Sequence, residues 1–271
     1  MSLALTRTIW RETSFATTRR LLNFNCIRSQ PFANYFRRPV LQQKLQFSPK
    51  PILFLSAMPL MTISDSIMDS LTKSEVIPTV IHDKSFVPKG FLTIKYDTGK
   101  EVTMGNNIKP SDAQSKPRID FTLNLPSDSS SSLKISKGDK FTLVFTDPDA
   151  PSRGNETWSE YCHWILVDVK LNTFDDTAVN AVDTAENQLT TENVDGTELF
   201  SYVGPGCPPK TGKHRYVFLL YKQKSGVVPK VPEGRRNWGT GVPGYGAAEY
   251  AEKWGLTLYG VNFFYARNEI Q

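Results

Sequence analysis

Cysteine is scarce in this chain of 271 residues, which has three: Cys26, Cys162 and Cys207. Three thiols cannot pair completely, and no two stand in a C-x-x-C spacing. That excludes a full disulfide framework and gives no sign of a cysteine zinc site. A reducing, cytoplasmic compartment is the simpler reading. Long apolar runs are missing too. The stretch Pro51 to Leu60 is proline-broken and falls well short of the ~20 residues a membrane-spanning helix needs. Acids are nearly absent from residues 1–60, which hold nine cations and only Glu12. Their +8 exceeds the net +5 of the whole chain, so residues 61–271 carry −3. The basic balance belongs to the tail, and the body offers no nucleic-acid face. A Gly-x-Ser-x-Gly nucleophile turn, a metal motif of known spacing and internal repeats are also missing.

What is present divides at about residue 60. Residues 1–60 are rich in arginine, contain Ser and Thr, and have the composition of a mitochondrial transit peptide. The alternatives are a disordered extension, or translation that begins at Met58 or Met61. In each case residues 61–271 form the folded domain. There the apolar content, 39% over the chain, suffices for one substantial core.

The body reads as strands with few helices. Ser64 or Asp65 can cap a short helix with Ile67, Met68 and Leu71 on one face, ending near Ile77-Pro78. Residues 91–96 and 118–125 are strand-like, and 97–100 form a turn. Residues 126–132 are Ser-rich and read as a mobile loop. In "KFTLVFTD", Phe141, Leu143 and Phe145 share a face; in "HRYVFLLYKQ", His214, Tyr216, Phe218 and Leu220 do. "CHWILVDV" is a third strand, with His163 pointing the same way as Ile165 and Val167. Residues 170–198 read as a long polar surface excursion. "GYGAAEYAEKWG" reads as a helix stopped by Gly255, and "LTLYGVNFFYA" as a final strand. One core, many strands and few helices predict a β-rich sandwich with peripheral helices.

"DPDAPSRGNETWSEYCHW" carries the chemistry. Pro148 takes the chain out of the sheet after Asp147, and Asp149 sits in a proline-braced turn. Two carboxylates this close need a cationic or hydrogen-bonding neighbour. His163 and His214 each head a strand, and Tyr216 shares a face with His214 while Arg215 points away. The preceding loop, "GPGCPPKTGKH", has Gly204, Gly206 and Gly212, which let backbone N–H groups approach an anion. Such a mouth suits a small zwitterion or a phosphate monoester. Each part alone has a plainer reading: Asp-Pro-Asp as a turn, each histidine as a structural group, Cys207 as a small apolar filler. Two Asp and two His could also hold a divalent metal. Cys162 and His163, as strand neighbours, face opposite sides, which argues against a catalytic dyad.

Together, "TDPDAPSR", "CHW", "GPGCPPKTGKHRYVFLLYKQ" and "NFFYA" resemble the phosphatidylethanolamine-binding protein family over nearly all of residues 62–271. "SEVIPTVIHDKSFVP", "SKPRIDFTLN" and "RRNWGTG" fit its fungal branch, which contains the carboxypeptidase Y inhibitor. The resemblance implies the family's β-sandwich with peripheral helices; the composition of residues 1–60 sets a disordered N-terminal extension before it. It puts Asp147, Asp149, Pro151, His163, Gly206, His214 and Tyr216 on the family's anion-pocket positions, with Tyr161 at the rim. Cys207 and Lys210 stand where animal members have proline and glycine, and Cys162 replaces a second histidine. The resemblance further implies a binding protein without catalytic residues, cofactor or metal. Its implied ligand is a phospholipid headgroup or small phosphate, and its implied partners are a serine carboxypeptidase that it inhibits and a Ras GTPase-activating protein. A peripheral membrane contact and a cytoplasmic or vacuolar location go with this reading; a working transit peptide would make it mitochondrial. The rivals are a mitochondrial ribosome-associated structural protein and a metal-dependent phosphoesterase.

Overall fold

The computed structural model describes residues 62–124, 138–171, 188–191 and 194–271. Contacts divide the chain into Met1–Ser56 and Ala57–Gln271, and every described residue belongs to the second unit. The Ser-rich stretch 126–132 lies outside the described residues.

The chain opens with α1 (Ile63–Lys73) and a short α2 (Val76–Thr79). Strands β1 (Gly90–Lys95), β2 (Glu101–Val102), β3 (Asn106–Asn107) and β4 (Arg118–Asn124) follow. Next come β5 (Phe141–Asp147), β6 (Tyr161–Val169), β7 (Gln188–Thr191), β8 (Thr197–Phe200) and β9 (Lys213–Lys222). Helix α3 (Ala247–Trp254) and β10 (Thr257–Arg267) close the domain. A four-stranded sheet has the order β2-β1-β4-β7, and a six-stranded sheet has the order β3-β10-β9-β5-β6-β8.

The larger sheet is covered on both faces. Phe145, Tyr216, Phe218 and Phe264 pack with Leu92, Ile94 and Phe121 of the smaller sheet. On its other side Val144, Val217, Leu219 and Phe263 pack with Ile67 and Leu71 of α1 and Tyr250 of α3. This double cover explains why every residue of β5 is buried although its side chains alternate.

Three expectations need correction. Thr62, not Ser64 or Asp65, caps α1: its hydroxyl accepts from the Asp65 N–H and the Asp65 carboxylate accepts from the Thr62 N–H, both at 3.1 Å. The helix stops at Lys73, and the non-helical Ile77 before Pro78 interrupts α2 instead. Within 170–198, Gln188–Thr191 and the start of Thr197–Phe200 are strands that pair with β4 and β6.

A fourth correction concerns His163. Along β6, Thr146 pairs with Cys162 but Phe145 pairs with Trp164, so His163 is an extra residue opposite β5. The bulge puts two consecutive side chains on one face. Cys162, Ile165 and Val167 lie on the helix side of the sheet. His163 instead joins Trp164 on the inter-sheet side, its ring 5.2 Å from both Phe145 and Tyr216.

Candidate functional site

Strands β6, β5 and β9 are antiparallel neighbours, so the C-terminal end of β5 lies between the N-terminal ends of the other two. That one edge gathers Asp147 from β5, Tyr161 and His163 from β6, and His214 and Tyr216 from β9. They line a cavity of about 230 Å³ whose remaining wall includes Pro151 and Gly206. It is smaller than the roughly 300–1,000 Å³ typical of cofactor and drug sites. A headgroup-sized ligand fits that volume. At Gly206 an added Cβ would meet nothing within 4 Å, whereas at Gly204 it would press on the Ala113 carbonyl oxygen at 2.7 Å.

The polar groups are tied to one another. Asp147 Oδ2 and His214 Nδ1 are 2.8 Å apart, and Asp147 Oδ1 accepts from the Asp149 N–H at 2.7 Å. His214 Nε2 is 2.9 Å from the Thr211 hydroxyl, which donates to the Pro208 carbonyl at 2.7 Å. His163 Nδ1–H donates to the Val203 carbonyl at 2.7 Å, leaving Nε2 as the ring nitrogen free for a ligand. Burial holds the His163 imidazole below its ordinary pKa, against the opposing pull of Asp147, so the ring is neutral at pH 7. Burial likewise holds the Tyr216 phenol well above its usual range, leaving a hydroxyl that can donate or accept. Tyr161 packs at the rim, 4.8 Å from the His163 ring.

Asp149 is the exception among the expected residues. It is fully buried and does not line the cavity. Its carboxylate faces the other side of the sheet, where Arg215 Nη2 and Nε donate to it at 2.6 and 2.9 Å. The alternation that points Arg215 away from the pocket therefore supplies the cation for Asp149. With the two carboxylates on opposite sides, the two Asp and two His do not converge as one ligand set.

A sequence profile described as Phosphatidylethanolamine-binding protein matches residues 85–264, which include every site residue above. The chain belongs to this family. It is 39% identical over 211 residues to the carboxypeptidase Y inhibitor of Saccharomyces cerevisiae, a match that covers 74% of this chain and 95% of the relative. A crystal structure of carboxypeptidase Y inhibitor with its cognate proteinase superposes with a TM-score of 0.67 at 37% identity, covering 76% of this chain and 97% of that one. The phosphatidylethanolamine-binding protein of Plasmodium vivax shares the fold, with a TM-score of 0.57 at 23% identity over 74% and 97% of the two chains.

This phosphatidylethanolamine-binding protein has features that the sequence reading passed over. Arg236 and Trp158 also line the cavity, with the guanidinium 3.9 Å from the indole centre. Arg235 braces the bulge: its Nη1 donates to the carbonyls of Cys162 and His163, both at 3.0 Å. The "RRNWGTG" segment was the available signal, because two adjacent arginines in a loop serve two sites. Behind the pocket, Glu160 is buried and accepts from the Thr146 hydroxyl at 2.8 Å and the Ala247 N–H at 3.2 Å. Among the described residues its Oε1 has no hydrogen-bond partner, and burial pushes its carboxyl up to about 8. Cys207 lies against the Tyr216 hydroxyl at 3.2 Å, and burial pushes its thiol up to about 11, as befits a filler and not a nucleophile. Lys210 takes the left-handed backbone, φ 63°, that a glycine adopts more easily.

Proposed function

We propose that the chain inhibits a serine carboxypeptidase of the carboxypeptidase Y type and carries, as a separate feature, a pocket for a phosphate-bearing headgroup. The observation that carries the inhibitory reading is the 39% identity to the yeast inhibitor along 95% of its length. A stable protease–inhibitor interface buries about 1,600 Å² in total. A cavity of about 230 Å³ offers much less, so the partner would meet a broader surface than the pocket. Binding without turnover fits the site chemistry, since both aspartates are committed to protein partners and the buried thiol is not activated.

Titrating the full chain into carboxypeptidase Y should abolish hydrolysis of a peptide substrate near one-to-one stoichiometry. Full activity with excess micromolar chain would overturn the inhibitory reading. Calorimetry with phosphorylethanolamine tests the pocket, and no heat at millimolar ligand would reject it. A Ras GTPase-activating protein as a second partner rests on family resemblance; co-precipitation with the tagged chain tests it. Imaging that same tagged chain distinguishes cytoplasm and vacuole from mitochondrion.

A further inference from the structure

We propose that Arg236 determines the charge selectivity of the pocket, so that phosphate monoesters bind ahead of phosphodiesters. The inference deepens the headgroup-pocket reading and rests on it. Besides the phenols of Tyr161 and Tyr216, four charged or titratable side chains line the cavity: Asp147, His163, His214 and Arg236. Asp147 is taken by His214 and by the Asp149 N–H, and both nitrogens of His214 are engaged. His163 is neutral for the reason given above. Among the described residues, Arg236 has no carboxylate partner, and it is the lining charge left for a ligand.

Its position is prepared in advance. The guanidinium lies 3.9 Å from the Trp158 ring centre, a cation–π contact that holds its charge beside the cavity. Backbone contacts lock the two loops together. The Asn237 N–H donates to the Trp158 carbonyl at 3.1 Å, and the Asn237 side-chain amide donates to the Thr157 and Ser159 carbonyls at 3.2 and 2.8 Å. Arg236 itself bridges to Tyr161 at the rim. A donor fork held this way loses little freedom when it grips an anion. The cavity is also small enough that any occupant sits within about 8 Å, the screening length at physiological salt. A monoester phosphate carries roughly −1.5 to −2 charges at pH 7. The diester of an intact phospholipid carries a single negative charge, so the monoester gains more from the fork.

Calorimetry on the full chain tests this with phosphorylethanolamine as monoester and glycerophosphorylethanolamine as diester. Co-sedimentation with phosphatidylcholine vesicles containing phosphatidylethanolamine is a third arm. The unaltered chain should prefer the monoester. Arg236→Ala should weaken monoester binding about tenfold and diester binding little, with Arg236→Lys between them. Arg236 is on the surface, so an unchanged melting temperature should accompany these effects. If Arg236→Ala keeps the full monoester preference, the selectivity assignment is wrong while the pocket reading stands. If the unaltered chain binds neither small ligand, the pocket reading fails and this inference falls with it. If Arg236→Ala loses vesicles but holds the monoester, the arginine serves a membrane surface, which also overturns the assignment.

Discussion

Asp149 and Glu75 are held by one guanidinium. Arg215 donates through Nη2 to the Asp149 carboxylate and through Nη1 to the Glu75 backbone carbonyl, each at 2.6 Å. The same Nη1 also donates to the Ser74 carbonyl at 3.2 Å. The loop after β5 is thereby tied to the end of α1 through the back of the sheet. On the solvent side, Arg153 Nη2 contacts the Glu75 carboxylate at 2.5 Å.

Asp149→Asn should accordingly act on stability before it acts on ligands. Removing one member of a buried ion pair leaves its partner uncompensated, a loss of about 3–5 kcal/mol. Urea denaturation should show a lowered midpoint with little change in slope. A loss below 1 kcal/mol would mean that water reaches Arg215 and that the tie is weak.

Gly206→Leu should be the cleaner probe of the pocket. The added side chain enters open space, and the backbone φ there is not in the left-handed region. Phosphorylethanolamine binding should be lost with stability unchanged within about 0.5 kcal/mol. Carboxypeptidase Y inhibition should persist; its loss in a folded variant would make the pocket part of the inhibitory surface.

Two buried groups should shape the pH profile in opposite directions. His163 is held below its ordinary pKa, so on acidification the unfolded chain takes up a proton first. Stability should fall as pH drops below the usual histidine value of about 6.5. Glu160 is raised from 4.5 to about 8, so the folded chain keeps a proton that the unfolded chain has lost. Its contribution is complete below the unfolded value and disappears as pH rises through about 8. Glu160→Gln should flatten the alkaline arm and make the variant the more stable protein above that pH. Denaturation midpoints from pH 5 to 9 decide this, and superimposable alkaline arms would refute it.

Removing residues 1–60 should leave folding intact. Every described residue lies in the unit Ala57–Gln271, and α1 begins with its own capping box at Thr62. Thermal melts of the whole chain and of residues 61–271 should nearly coincide. A large drop on truncation would show that the tail packs on the core.

Alternation in 141–147 and 214–221 was enough to sort the two faces of the central strands, because a strand buried on both sides still obeys period two. The same rule failed at His163, since a bulge depends on how many residues face the partner strand and not on which residue is extra. For Asp147 and Asp149, a spacing of two means a shared face only inside a strand, and β5 ends at Asp147. Arg236 was missed because loop residues have no period to reveal which of two adjacent arginines faces a cavity. The cap at Thr62 followed the capping-box pattern, with the acid three residues on serving as the reciprocal partner.

The bulge in β6 also bears on how relatives of this chain are compared. Upstream and downstream of Cys162–His163 the strand runs in two different phases, joined by one surplus residue. A single-residue deletion there would restore a continuous ladder and leave the letters on either side easy to align. Tyr161 and Trp164 would keep their faces, but a histidine left as the single residue between them would take the place of Cys162 and face the helices. A matched histidine in an alignment column therefore denotes the same pocket wall only where the surplus residue is matched as well.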